Sequence, residues 1–236
     1  MKTVSQVMTA LKKKGTAQTR KTHSQHGAPE NCFGVKVADL KVIAKQIKGN
    51  QDLACELYGT GNSDAMYLAG IVADGSQMTK KQLDDWAKAA PWYYISEYSV
   101  PGVANESPHA RALALKWIKS RKPQVAACGW NTYAGVVATT PDEELDLKEI
   151  EALLKQIEQG IDKAPNRVRY TMNGFVISVG GYVKPLSKKA KATAKKIGKV
   201  EVDMGGTACK VPLATEYIEK MEKAGRAFKK RKTIKC

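Results

Sequence analysis

The sequence predicts an all-α protein, and three observations support this prediction. Apolar residues recur at spacings of three and four along almost the whole chain, which is the period of amphipathic helices. Residues that favour helix ends, such as Ser107 with Pro108 and the pair Gly180 and Gly181, border these segments. The alternating pattern of strands is nearly missing, and only residues 200–206 are predicted as a short extended piece.

Six segments have the clearest apolar stripes and are predicted as helices: residues 35–48, 107–121, 142–163, 167–179, 187–197 and 212–226. In 142–163 the stripe lies opposite an acidic face, which is typical of a helix with one buried side. Asn166 is predicted to cap the fourth segment, Gly180 and Gly181 to end it, and Pro212 to start the sixth.

The helices follow one another at intervals of about 20 residues, so that a helix pair would repeat about every 40 residues, the period of HEAT-like repeats. The fold predicted from this spacing is a curved α-solenoid of HEAT-like helix pairs with a basic C-terminal extension. We expect one domain over residues 1–227, of which 187–227 are basic helices, and a flexible basic tail over 228–236. A globular helical bundle is the alternative.

Composition excludes several classes of protein. No apolar run approaches the roughly 20 residues that span a bilayer, and the N-terminus lacks the apolar core of a secretory signal. The five cysteines are scattered without paired spacing, which indicates reduced thiols and an intracellular protein. We expect a cytoplasmic, nucleoid-associated location, or a nuclear one in a eukaryote.

No motif in the chain indicates a cofactor. A phosphate loop, a dinucleotide fingerprint and a Ser-His-Asp arrangement are all missing from the sequence. His23, His26 and Cys32 have loosely metal-like spacing, but no second pair of ligands lies nearby, as zinc normally requires. We therefore predict neither a cofactor nor a metal.

The positive charge is concentrated in the last third of the chain. Residues 166–236 hold 18 Lys and Arg against 5 Asp and Glu, whereas residues 1–165 hold 21 against 18. Cations at this density favour a polyanion such as duplex DNA, because binding releases condensed counterions. A solvated helix face, a disordered basic tail and an anionic membrane surface are the alternatives. The predicted phosphate contacts are Lys188, Lys189, Lys195, Lys196, Lys229, Lys230, Arg231 and Lys232.

Aromatic residues and arginines form two further candidate groups. Trp92, Tyr93 and Tyr94 stand together and suit either a platform for sugars and bases or a helix-packing core. Arg167 and Arg169 suit phosphate oxygens, and a salt bridge to a neighbouring acidic helix is the alternative.

Three segments carry a resemblance to a known family. They are residues 32–40 (CFGVKVADL), residues 90–96 (APWYYIS) with 108–117 and Gly129-Trp130 after them, and residues 166–175 (NRVRYTMNGF). Their order and spacing over residues 30–185 resemble the HEAT-like repeat alkylpurine DNA glycosylases, the AlkD type of DNA alkylation repair enzyme. Residues 198–236 lie outside the common pattern and resemble the C-terminal extension of a separate subgroup.

The resemblance implies a C-shaped helical solenoid that cradles duplex DNA against a concave basic surface. In that family two tryptophans contact the deoxyribose of the damaged nucleotide, and an aspartate four residues after the first stabilises the sugar cation. Trp92 stands at the first tryptophan position and Phe175 at the second, but Ser96 occupies the aspartate position. Glu97 is the neighbouring acid, turned by about 100° on a helix.

After Trp130 the family places arginines that hold the DNA backbone, and this chain has Asn131 and, two residues on, Tyr133. The candidate catalytic residues are therefore Trp92, Ser96, Glu97 and Phe175. The candidate DNA contacts are Trp130, Asn131, Tyr133, Arg167 and Arg169 together with the cations named above.

Two functions compete on this basis. One is binding of duplex DNA by a monomer, damaged or distorted DNA in particular, with weak excision of N3- or N7-alkylated purines. The other is a non-catalytic relative that binds nucleic acid by shape or serves as a HEAT-repeat scaffold for other proteins. Loss of the carboxylate at Ser96 favours the second, because a neutral hydroxyl cannot stabilise a sugar cation as a carboxylate does.

Overall fold

The structure is a computed structural model of the chain that describes residues 1–235. All regular elements in these residues are helical, which confirms the predicted all-α class. The helices are α1 (Val4–Lys14), α2 (Ala17–Gln25), α3 (Val37–Gln46), α4 (Gln51–Gly59), α5 (Ser63–Val72), α6 (Lys80–Ala89), α7 (Val100–Ala104), α8 (Ala110–Ile118), α9 (Pro123–Thr139), α10 (Leu147–Gly160), α11 (Asn166–Tyr182), α12 (Ser187–Ile197) and α13 (Ala214–Lys223). Across residues 1–235, no helix is both long enough and apolar enough to cross a membrane.

The described chain divides into two compact units. Unit 1 comprises Met1–His109, Met204–Ala208 and Lys235, and unit 2 comprises Ala110–Asp203 and Cys209–Ile234. Cooperative folding of residues 1–227 as one domain stays a prediction.

In unit 1, α5 is the central helix. It packs against α3, α4, α7 and the π-helical turn Ile95–Ser99, and it buries Ala65, Leu68 and Ala69. Asn62 caps α5 by accepting backbone N–H bonds from Asp64 and Ala65, and Thr79 caps α6 in a reciprocal box with Gln82.

In unit 2, α9 and α11 form the centre of the core. α9 packs on both α8 and α11, and α11 also contacts α12 and α13. Gly129 makes the contact between α8 and α9 close, because a Cβ there would lie 2.5 Å from the backbone nitrogen of Ile118. The acidic helix α10 packs its apolar stripe, which includes Ile150, Leu154 and Ile157, into the same core.

The six predicted helical segments each match one helix, but four local predictions were wrong. α11 does not end before Gly180 and Gly181, because these glycines let α13 approach: added Cβ atoms would lie 2.4 Å from Ile218 and from Met221. Asn166 exchanges two hydrogen bonds with the backbone of Asp203 instead of capping α11. Pro212 does not start the last helix, because α13 begins two residues later at Ala214 with Leu213 as its N-cap. Residues 200–206, predicted as a short extended piece, are assigned neither helix nor strand.

Candidate nucleic-acid interface

The candidate site of unit 1 is built on the π-helical turn Ile95–Ser99. The backbone N–H groups of Ile95 and Ser96 donate to the carbonyl of Trp92 at 2.9 and 3.0 Å. Gly70 of α5 lies directly on the turn, where a Cβ would be 2.6 Å from Cβ of Ser99. Single π-helical turns are rare and frequently stand at functional sites, so the turn singles out residues 92–99.

Trp92 is enclosed within unit 1. It is 5% exposed, and its indole N–H donates to the carbonyl oxygen of His26 at 2.7 Å. Its ring stacks on Tyr94 with centroids 4.1 Å apart, and the hydroxyl of Tyr93 is 2.7 Å from Nδ1 of His26. The structure thus assembles what we call the aromatic cluster: His23, His26, Trp92, Tyr93, Tyr94 and Tyr98.

Ser96 and Glu97 are buried as well, at 1% and 2% exposure. The hydroxyl of Ser96 has no hydrogen-bond partner within residues 1–235, and leaving a buried polar group unpaired costs about 1–3 kcal/mol. Neither side chain presents surface to a substrate in this conformation. A catalytic role for either one stays a prediction.

Phe175 lies in unit 2, where it is fully buried between Trp130 and Tyr133. The ring centroids are 5.4 Å and 5.6 Å from that of Phe175, in edge-to-face arrangements that stabilise aromatic cores. Asn131, on the same helix as Trp130, is half-buried. Contact of DNA with Trp130, Asn131, Tyr133 or Phe175 stays a prediction. The three aromatic rings would contact DNA only if the core of unit 2 opened.

Tyr133 also belongs to a polar group at the edge of that core. Its hydroxyl donates to a carboxylate oxygen of Glu149, and Arg111 holds the same carboxylate at 2.8 Å. Burial raises the pKa of Tyr133, and the hydrogen bond to Glu149 raises it further. The tyrosine therefore acts as a neutral donor that orients Glu149.

Arg167 and Arg169 lie in the first turns of α11 and are half-buried. The guanidinium of Arg167 stacks over the ring of Tyr170, 4.4 Å from its centroid. Nε of Arg169 is buried without a hydrogen-bond partner among the described residues, which leaves a donor that a phosphate oxygen would satisfy. Phosphate binding by these arginines stays a prediction.

Acidic residues from other helices neutralise part of the predicted basic face on α12. Lys189 pairs with Glu151 at 2.7 Å, and Lys196 pairs with Glu158 at 2.8 Å. Lys188 and Lys195 are exposed, and neither has an acidic partner in residues 1–235. Of the four predicted lysines, these two are the ones whose full charge is available to a polyanion.

The basic tail is attached to unit 2 at several points. Lys230 pairs with Asp142 at 2.8 Å, and the backbone N–H of Arg231 donates to the carbonyl of Ala138 at 2.8 Å. Lys229, Arg231 and Lys232 have exposed side chains. The predicted flexibility rests on composition alone, and the exchange rate of the Arg231 amide proton would test it. Cys236, part of the predicted tail, lies outside the described residues.

A second basic region, at the N-terminus, was missed by the sequence analysis. Residues 1–29 hold six Lys and Arg and no acid, but counting charge over residues 1–165 averaged this region with acidic segments. A running charge count would have found it. The participation of His23 and His26 in the aromatic cluster had no signal in the sequence, because the tertiary fold makes it.

His23, Cys32 and Asp64 place three possible metal-ligating atoms within 4.8 Å of one another. Both carboxylate oxygens of Asp64 already accept backbone N–H bonds, at 2.6–3.1 Å, from Phe33, Gly34 and Val35. Burial raises the pKa of Cys32 to about 11, so the thiol is protonated. The arrangement therefore works as a hydrogen-bond network that holds the loop of residues 32–35.

Comparisons of this chain with known proteins agree on its family. Residues 6–196 match the family model described as DNA alkylation repair enzyme. The uncharacterised proteins Lin0241 of Listeria innocua and Lmo0209 of Listeria monocytogenes are each 34% identical over 226 residues, which cover 93% of this chain and 97% of theirs.

A solved structure is similar over 99% of this chain and all of its own, with 37% identity and a TM-score of 0.90. It represents a new family of proteins related to the HEAT-like repeat DNA glycosylases with affinity for branched DNA structures. This similarity assigns the HEAT-like class to the fold.

Proposed function

Because this chain belongs to the DNA alkylation repair enzyme family, we propose that it binds branched or distorted DNA and does not excise bases. The observation that carries the proposal is the burial of Trp92, Ser96 and Glu97. A carboxylate beside the developing sugar cation would stabilise it, whereas here that position holds a serine and the neighbouring carboxylate of Glu97 is enclosed.

Two further observations support DNA as the partner. The solved relative has affinity for branched DNA, and the present chain carries a net charge of +16. Lys188 and Lys195 offer exposed, unpaired cations for phosphates, and Lys229, Arg231 and Lys232 add exposed cations in the same unit.

Binding is tested by titrating a four-way junction and a linear duplex of the same length and composition at several salt concentrations. We expect tighter binding to the junction, and a steep loss of affinity for both with rising salt. Equal affinity for the two DNAs would contradict branch recognition. A preference for RNA or an acidic protein would favour the scaffold function.

The lysines of α12 provide a matched pair of variants. Replacing Lys188 and Lys195 by Gln should lower the log–log salt slope by about 0.9 for each phosphate that the variant no longer binds. Replacing Lys189 and Lys196 by Gln should lower it less, because each already pairs with a glutamate. Equal effects of the two double variants would show that the ion pairs of α12 open on binding.

Weak excision of N3- or N7-alkylated purines is the second candidate function. The π-helical turn beside Trp92 and the unpartnered hydroxyl of Ser96 favour it, because both are features of functional sites. Single-turnover release from an N7-methylguanine duplex tests it with wild type, Glu97→Gln and Ser96→Asp. We expect no release by wild type, and release that Glu97→Gln abolishes would overturn the non-catalytic proposal. Release by Ser96→Asp alone would identify the missing carboxylate as the cause.

A further inference from the structure

Helix α2 has no buried residue, although it lies within the first unit of the chain. Its sequence is AQTRKTHSQ, in which hydroxyl, amide and cationic side chains cover every face. A helix that is polar all round is not stabilised by burial of an apolar stripe. It also contains no acid, so that ion pairs between successive turns cannot stabilise it either.

Contacts of its backbone, of His23 and of the C-cap residue His26 hold α2 in place. Gly34, at φ +78°, lies against the backbone of Arg20, where a Cβ would be 2.4 Å from the Arg20 nitrogen. His23 contacts Cys32, and the carbonyl of His26 accepts the indole N–H of Trp92. The fold thus positions a fully polar helix next to the aromatic cluster. The side chains of Arg20 and Lys21 are exposed, and the Arg20 guanidinium donates to the carbonyl of Glu30 at 3.3 Å.

Most of the positive charge around α2 has no acidic partner, whereas two of the four predicted lysines of α12 are paired with glutamates. Lys12, Lys13 and Lys14 form the last turn of α1, and Arg20 and Lys21 follow in α2. Of these five cations, only Lys14 forms an ion pair within residues 1–235, with Asp39 at 3.1 Å. The nearest acid in sequence is Glu30. Such a surface attracts phosphates in preference to neutral or cationic partners.

An exposed aromatic ring lies at the end of the aromatic cluster that α2 adjoins. The rings of His26 and Tyr94 are 5.8 Å apart, and Tyr94 is 6.0 Å from Tyr98. Tyr98 is 42% exposed, whereas Trp92 is enclosed. An exposed ring and exposed cations in the same unit are the combination in which an aromatic side chain stacks on an unpaired base while lysines hold the backbone.

We propose that α2, with the lysines at the end of α1, forms a DNA-binding surface of unit 1 that holds the phosphates of a branch point, while Tyr98 stacks on a base exposed there. The proposal rests on the proposed function and adds a second cationic surface to that of unit 2. A branched DNA presents several duplex arms, and a protein with two separate phosphate-binding surfaces gains affinity for such a substrate by engaging both.

The test compares two double variants of the full chain with equal loss of charge. One replaces Lys13 and Lys21 by Gln, and the control replaces Lys80 and Lys155, which are exposed lysines of α6 and α10. We expect the first variant to lower the salt slope for a four-way junction by about 0.9 for each phosphate that it no longer binds. The control should leave the slope unchanged. All four lysines are exposed, and thermal unfolding confirms that each variant keeps the wild-type fold.

Tyr98 is tested by Tyr98→Leu and Tyr98→Phe. Loss of one stacked base should weaken junction binding by about 5- to 150-fold in Tyr98→Leu and leave linear duplex binding unchanged. Tyr98→Phe keeps the ring and should retain junction binding. If Tyr98→Phe is as weak as Tyr98→Leu, the hydroxyl carries the effect and stacking is refuted.

Protection of lysines from acetylation gives an independent measurement. Junction DNA should protect Lys13 and Lys21 and leave Lys80 and Lys155 reactive, as read by mass spectrometry. If wild type prefers the junction but both double variants behave alike, the α2 surface is refuted and the proposed function stands. If wild type shows no preference for the junction, the proposed branch recognition fails, and with it the proposal for α2.

Discussion

At the scale of single residues, hydrogen-bond partners decide whether a polar side chain in or near the core stabilises this protein or costs energy. Glu149 remains ionised at the edge of the unit 2 core because Arg111 and the hydroxyl of Tyr133 bind the same carboxylate. Ser96, in contrast, is buried with an unpaired hydroxyl. The first arrangement stabilises the fold, and the second is an energetic cost at the place where the family pattern has a carboxylate.

Replacing Tyr133 by Phe should lower the free energy of unfolding by about 2 kcal/mol at pH 7, the typical contribution of a hydrogen bond to a charged group. The pKa of Tyr133 is raised in the folded state, so its contribution is complete below the unfolded value of about 10 and is lost as pH rises above it. The difference between wild type and variant should therefore shrink above about pH 10 in urea titrations. Tyr217→Phe, at a tyrosine that is 45% exposed, is the control and should change the free energy of unfolding little at pH 7. A constant difference up to pH 12 would contradict the linkage.

At the scale of elements, the close approach of two helices explains why glycines that were predicted to end a helix lie inside it. α13 packs onto α11 at Gly180 and Gly181, and both positions lie inside the helix. The missing side chains lower helix propensity by about 1 kcal/mol each, and the closer packing of Ile218 and Met221 compensates for this.

Gly180→Ala should therefore destabilise unit 2 by about 1–3 kcal/mol despite the higher helix propensity of alanine, because its Cβ would overlap Ile218. Gly174→Ala on the same helix is the matched control. Its Cβ would meet only Oδ1 of Asn131 at 3.9 Å, so it should be neutral or stabilising by up to about 1 kcal/mol. Urea unfolding measures both, and a stabilising Gly180→Ala would show that α13 moves away freely.

At the scale of the whole molecule, the chain passes between the two units at four points, after residues 109, 203, 208 and 234. If one unit unfolded alone, the chain would therefore lose its structure on one side of each of these four points. We expect α5 of unit 1 and α11 of unit 2 to unfold together, with the same free energy in native-state hydrogen exchange under increasing urea. Separate free energies for the two helices would show that the units fold as independent domains.

The sequence by itself determined the helical class, the position of six helices and the family. Apolar spacing, caps and segment order are local properties, and 107–121 and 187–197 contain the helices that these properties indicate. Pattern also located Trp92 and the serine four residues after it.

Only the tertiary structure decided which candidate groups are available for binding. It buried Phe175 between Trp130 and Tyr133, and it paired Lys189 and Lys196 with glutamates of α10. Of the five cations at the end of α1 and in α2, it paired only Lys14 with an acid within residues 1–235. The physical reason is that burial and ion pairing depend on neighbours that are distant in sequence. Lys189 and Glu151, for example, are 38 residues apart.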